Sequence, residues 1–257
     1  MNEAQRWLPY CGEAPGPSVW LERWNLDPVL CTGLIISAFV LRRPSMAAGI
    51  SCGRLRSLRG AWFLVLLLYV SPLCALSSAF FTVRVLHHMT LVLAVAPLLV
   101  YGLGNRLDRV PAPLWTSTAL AALVFWIWHA PGPYGAALTS VPGYALMQFS
   151  LAASAVLFWA ALRRTSAAQA LAALLVTTMQ MGLLGALITF ASRPMYAPHF
   201  LSTLGWNVSA LEDQQLAGLT MWAPGSMVYL CSAVWIGWRW MHAESGRTAR
   251  SLPAEST

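Results

Sequence analysis

The sequence predicts an all-α, polytopic membrane protein, a bundle of about seven transmembrane helices with its N-terminus outside and its C-terminus in the cytoplasm. Three observations carry that expectation. Of 257 residues, 58% are hydrophobic and only 10% are charged, with a mean hydropathy of +0.59, which is far from the balance of a soluble domain. The apolar residues are gathered into runs of about the 20 needed to cross a bilayer. The connections between the runs alternate between arginine-rich and arginine-poor, as a chain threading back and forth requires.

The runs are taken in order. Residues 1–27 form a polar arm rich in Pro and Trp, lying at the outer surface with Trp7, Trp20 and Trp24 at interface depth. The transmembrane domain spans 28–241 and a cytoplasmic tail follows over 242–257. Its segments run about 28–41, 60–79, 82–103, 113–130, 143–162, 167–191 and 214–238. No apolar signal peptide precedes the first of them, so that helix itself is expected to direct insertion.

Net charge is +7, and every basic residue other than His is Arg. One set of connections holds Arg42, Arg43, Arg54, Arg56 and Arg59, then Arg106 and Arg109, Arg163 and Arg164, and finally Arg239, Arg247 and Arg250. The other set holds Arg6 and Arg23, offset by Glu3, Glu13, Glu22 and Asp27, and then Arg193. The first set belongs in the cytoplasm. The surplus charge is thus a matter of topology, and no basic stripe with interleaved aromatics points to nucleic acid. The expected partner common to every span is membrane lipid.

The stretch LEDQQLAGLTMWAPG (211–225) opens the last segment. Gln214, Gly218, Met221 and Gly225 fall on one helical face. Pro224 should free the carbonyl of Thr220, and Pro97 that of Leu93; both kinks are expected to tilt the outer halves and open a pocket there. Gly182, Gly185, Ala186 and Thr189 make a small-residue face, which suits close helix packing.

Four of the five histidines fall at the outer end: His87, His88, His129 and His199. Arg84 stands three and four residues before His87 and His88, so it can touch either ring; it either serves a site or snorkels to the headgroups. Neutral imidazole with thioether sulfur from Met89, Met147 or Met221 suits copper, above all Cu(I). The expected metal site joins His88, with His87 or His129, to Met221. Asp213, Gln214 and Arg84 would form its polar rim or bind a partner. The bland readings are helix–helix hydrogen bonding for His, gap filling for Met, and a favourable helix-dipole charge for Asp213. Met179 and Met181 lie about 200° apart on a helix, so at least one of them is packing. The five cysteines follow no CxxC or disulfide spacing, and Cys11 is open to three readings: copper ligand, disulfide partner or inert outer-face thiol.

These residues together resemble the seven-helix CtaG family of cytochrome c oxidase assembly proteins. The resemblance is carried by DQQLAGLTMWAPG (213–225), HHMTLVLAVAPLLVYG (87–102), WHAPGPYGAAL (128–138), LFWAAL (157–162), GLLGALITFASRPMYAPH (182–199), and the arm motifs LPYCGEAP (8–15) and WNLDP (24–28). It implies a multi-pass factor of the bacterial cell inner membrane, without catalytic activity, that matures the catalytic subunit of a haem–copper oxidase. It also implies copper as cargo and a periplasmic copper chaperone as a further partner. The chain departs from the family pattern at two places. Arg84 stands where the family often has a histidine, and Met147 and Gln148 stand where another would be sought. A copper transport or tolerance protein and a haem-binding redox protein are the alternative functions. The outer loops 131–142 and 192–212, rich in Pro, Gly and aromatics, are the expected contact with the oxidase.

Overall fold

The computed structural model describes residues 7, 10–42 and 50–251. Glu3, Arg6, Leu8, Pro9, Arg43 and the tail beyond Ser251, all invoked above, lie outside the described residues. The described chain is helical throughout, with no strand.

The helices are α1 (Pro28–Arg42), α2 (Cys52–Tyr69), α3 (Pro72–Ala79), α4 (81–103), α5 (Leu114–His129), α6 (Pro131–Ala137), α7 (Val141–Arg163), α8 (Ala167–Thr189) and α9 (210–251). Serine hydroxyls cap five of these. Ser51, Ser71, Ser140 and Ser166 each accept a backbone N–H from the first turn of α2, α3, α7 and α8. Ser209 and Glu212 form a reciprocal capping box on α9. Asp27 accepts the N–H of Leu30 at 2.8 Å and so caps α1.

By length and apolar character, α4, α7, α8 and α9 can each cross a membrane, and α2 with α3 adds a fifth span broken by a 52° bend. α1 and α5, of 15 and 16 residues, are apolar but shorter. Each falls where the sequence places a segment. The second segment is the one that differs: it is two helices, because Ser71 caps a fresh start and Pro72 occupies its first turn.

Two helices widen at their prolines. α4 makes a π turn over Leu91–Val95, and α9 makes one over Met221–Gly225. The π register moves the bond missing at Pro97 from Leu93, the carbonyl expected for a straight helix, to Val92. The indole Nε1 of Trp159 in α7 donates to that oxygen at 2.9 Å. Both prolines line an open groove of about 780 Å³ with Val100, Trp159, Arg163 and Trp235. That groove lies in the arginine-bearing halves of the helices. The expectation that the kinks open a pocket beside the histidines is therefore corrected.

The face predicted for α9 holds. Gln214, Gly218, Met221 and Gly225 are all buried. Gly218 crosses Gly185 of α8 so closely that a Cβ on Gly218 would lie 2.6 Å from the carbonyl of Gly185, which only a glycine tolerates. Met181 is in the core, whereas Met179 is 74% exposed on the outside of the bundle.

Candidate metal and redox site in the histidine-bearing half

α4 presents adjacent histidines to two different neighbours. His88 turns toward α5 and α7, while His87 turns toward α2, edge-to-face with Tyr69 at 4.8 Å between ring centroids. Nδ1 of His88 stands 3.4 Å from Nε2 of His129, with the rings at right angles. Both rings are fully buried.

The other nitrogen of each ring is fixed from behind. Nδ1 of His129 faces the carbonyl of Phe125 at 2.7 Å. A carbonyl only accepts, so the proton sits on Nδ1 and the Nε2 lone pair faces His88. Nε2 of His88 meets the Gln148 amide at 3.3 Å, and Gln148 Oε1 accepts the hydroxyl of Tyr69 at 2.9 Å. Gln148 is thus a part of the site that sequence reasoning passed over; it was noted only as standing where a histidine was sought. Its signal was its place in the first turns of an otherwise apolar segment.

His87 takes no part in this chain. Neither of its ring nitrogens has a hydrogen-bond partner among the described residues. Met221 is fully buried in the π turn of α9, which packs against α4. Met89, beside His88, instead converges with Met181 on Gly225.

One turn above His88, Arg84 is fully buried, so it does not snorkel. Its Nη1 donates to the Tyr144 hydroxyl at 2.9 Å, and the guanidinium carbon sits 5.1 Å from the centre of that ring. Nε and Nη2 make no hydrogen bond to a described residue, although Tyr134 is close enough to feel the charge. The single ion pair among the described residues is Arg163 with Asp108, at 2.5 Å; Arg84 has no carboxylate partner.

Asp213 and Gln214 do not form a rim. Phe80, which precedes α4, supplies no side-chain cap. Asp213 supplies it from α9: Oδ2 accepts the N–H of Phe81 at 2.6 Å and Oδ1 that of Thr82 at 3.1 Å. Its backbone carbonyl also accepts the Thr82 hydroxyl at 2.7 Å. The dipole that favours this carboxylate is that of α4 as well as its own helix. Gln214 does the complementary work at the end of α8. Its Nε2 donates to the carbonyls of Ile188 and Arg193, each at 3.3 Å, and its Oε1 accepts the N–H of Met195 at 2.7 Å. Two consecutive side chains thus tie α9 to the start of α4 and to the end of α8.

The outer loops fold onto the bundle. Tyr134, Tyr196 and His199 are buried, with Tyr196 stacked on Phe81 at 3.6 Å between centroids. The Tyr134 hydroxyl donates to His199 Nε2 at 2.6 Å, which leaves Nδ1–H for the carbonyl of Ala79 at 3.3 Å. Burial, helped by the charge of Arg84, pulls the His199 imidazole down to about 3. Burial pushes the Tyr134 phenol up, against the pull of Arg84. The large hydrophobic residues of these loops that stay exposed are Val141, Phe200, Leu201 and Leu204.

Cys11 is joined to Cys74 by a disulfide, with their Cα atoms 5.2 Å apart. Of the three readings of Cys11, the structure takes the disulfide and corrects the other two, ligand and free thiol. The sequence separation of 63 explains why spacing gave no sign of it.

The sequence model of the cytochrome c oxidase caa3 assembly factor family (Caa3_CtaG) matches residues 105–243. The chain belongs to this family. The match covers α5 to α9, and so includes His129, Gln148 and the Asp213–Gly225 run, whereas Arg84 and His88 precede it. No curated protein and no solved structure matches the chain. Membership in Caa3_CtaG places the chain among assembly factors for cytochrome c oxidase, a role that suggests no catalysis, and the apolar helices agree with a membrane protein.

Proposed function

We propose that the chain is a non-enzymatic factor of the bacterial inner membrane that holds Cu(I) for delivery to the catalytic subunit of a haem–copper oxidase. The observation that carries this reading is the facing pair of ring nitrogens, His88 Nδ1 and His129 Nε2, 3.4 Å apart and fully buried. Two nitrogens that share one ion, each about 2 Å from it, stand roughly 3.3–4 Å apart, so the pair fits. His129 has the outer partner that a metal-bound imidazole needs, the carbonyl of Phe125, whereas Nε2 of His88 faces the amide nitrogen of Gln148, so the Gln148 amide would have to turn its oxygen to His88 when a metal holds Nδ1. Two imidazoles completed by a thioether would suit a soft ion such as Cu(I) better than Zn(II). Met221 is the sulfur we assign, from its burial beside α4.

The arrangement in the membrane is part of the proposal. Seven crossings, with α1 and α5 as short spans, put the arginine-rich connections in the cytoplasm and the histidine-bearing half outside. The oxidase would then meet Phe200, Leu201 and Leu204, exposed apolar residues of the outer loops. A periplasm-active reporter should work when inserted in 200–210 and stay silent after Thr257; the reverse result removes the orientation.

Changing His88 to Ala should lower the copper content and activity of the oxidase while leaving this protein in the membrane. Met221→Leu keeps the volume and should weaken Cu(I) binding. If both leave oxidase copper intact, the helices act by packing against the oxidase and not through a metal.

A further inference from the structure

Arg84 is a buried cation with no anion beside it among the described residues. Leaving a charge in that state is costly, and such groups inside a bundle are paired or serve a function. Its Nη1 donates to the Tyr144 hydroxyl at 2.9 Å, and that same oxygen lies 3.6 Å from Cys11 Sγ. A disulfide sulfur carries no proton, so Tyr144 is the donor there. One further donor points at the bridge: Asn25 Nδ2 lies 3.7 Å from Cys74 Sγ, while the Ser77 hydroxyl, 3.9 Å from Cys11 Sγ, gives its proton to the Cys74 carbonyl at 2.6 Å. Two donors and a cation surround two sulfurs that carry no charge while they are joined.

That environment suits the reduced pair better than the oxidised one. We propose that Cys11–Cys74 is a redox-active pair that exchanges with an external dithiol, and that Arg84, acting through Tyr144, receives Cys11 as a thiolate. The inference does not depend on the copper reading. A thiolate is stabilised by a nearby cation and by hydrogen-bond donors, which makes the disulfide easier to reduce.

The step balances as ordinary exchange. One thiolate of the dithiol attacks Sγ of Cys11, which is 8% exposed and lies on the N-terminal arm; Cys74, fully buried, is the less accessible sulfur. The S–S bond breaks, and Cys74 leaves and takes a proton. The second thiol of the reagent then displaces Cys11, which leaves as thiolate facing Tyr144. The dithiol is oxidised to its cyclic disulfide, the pair gains two electrons, and one proton goes to solvent.

Reduction would also unfasten the arm. Besides the disulfide, the arm is held by Tyr10 stacked on Tyr144 at 5.4 Å and by the Pro15 carbonyl accepting Trp206 Nε1 at 3.0 Å. Tyr144 is therefore both the relay from Arg84 and the floor under the arm.

The test uses the full chain in lipid nanodiscs with Cys31, Cys52 and Cys231 changed to Ser. It is equilibrated with mixtures of oxidised and reduced dithiothreitol, acid-quenched and labelled with maleimide-polyethylene glycol. We expect reduction with the helical circular dichroism intact, and an exchange constant that rises tenfold per pH unit below the ordinary thiol range of about 8.5. Tyr144→Phe, which keeps the ring, should lower that constant at least tenfold, about 30 mV, and flatten its pH dependence. Arg84→Gln should do the same where it folds, and Tyr144→Phe carries the test where it does not. Resistance to dithiothreitol until the helical signal is lost would overturn the proposal. So would equal constants and equal pH slopes in the parent and Tyr144→Phe, which would leave the bridge a purely structural clasp.

Discussion

The two halves of the bundle are built on different terms. In the histidine-bearing half, helices end on one another's side chains: Asp213 caps α4, Gln214 caps the end of α8, and the Tyr196 hydroxyl donates to the carbonyl of His129 at 2.7 Å. In the arginine-bearing half the same helices flank an open apolar groove, and the polar contacts are largely single side chains on backbone carbonyls, such as the Ser57 hydroxyl on Leu98 at 2.7 Å. There Arg163 and Arg164 hold the carbonyls of the 104–110 turn from its edge. The difference teaches where precision is kept. A buried polar network is costly unless every member is satisfied, so a chain that retains one at a single end has fixed geometry there and left the other end to packing and lipid.

The largest effect should come from breaking the clamp. Asp213→Ala leaves two N–H groups at the start of α4 without acceptors inside the bundle. With a lost cap and unsatisfied donors, destabilisation of about 2–4 kcal/mol follows. Asp213→Asn keeps an acceptor and should cost less. Thermal unfolding of the detergent-solubilised variants checks the order. Equal melting for Asp213→Ala and the parent would mean that the two halves do not differ in the way argued here.

How legible this was depends on the kind of contact. Helices, small-residue faces and the α9 face were written in local periodicity, so hydropathy and helical spacing found them. The partners of Asp213 and Gln214 were not, because the groups they bind are backbone atoms 131 and 132 residues away for Asp213 and 19 residues away for Gln214. A backbone amide has no letter in the sequence. The acidic and amide run was therefore read as the mouth of a site when it is a joint between helices. The disulfide was hidden for a related reason: nothing local to Cys11 marks Cys74. His88 was expected to be joined by either His87 or His129, and only the crossing of α4 and α5 brings His129 to it, while the His87 ring turns away toward α2.

The smallest expected effect lies in the other half, at Trp159. Pro97 deprives the α4 backbone of one N–H, and the π turn assigns that loss to the carbonyl of Val92. In water such an oxygen would simply be hydrated, but in lipid it needs a donor from the protein. Trp159 provides it from α7 while its ring stacks on Tyr229, 5.9 Å between centroids. Trp159→Phe keeps an aromatic ring in the groove and removes only the donor. Hydrogen bonds between helices in membranes average well under the cost of a broken cap, so a loss of about 0.5–1.5 kcal/mol is expected. The same unfolding measurement reads it, alongside Asp213→Ala. If Trp159→Phe proves as damaging as Asp213→Ala, this half is not held by packing alone, and the indole–carbonyl bond is as much a joint as the clamp at the opposite end.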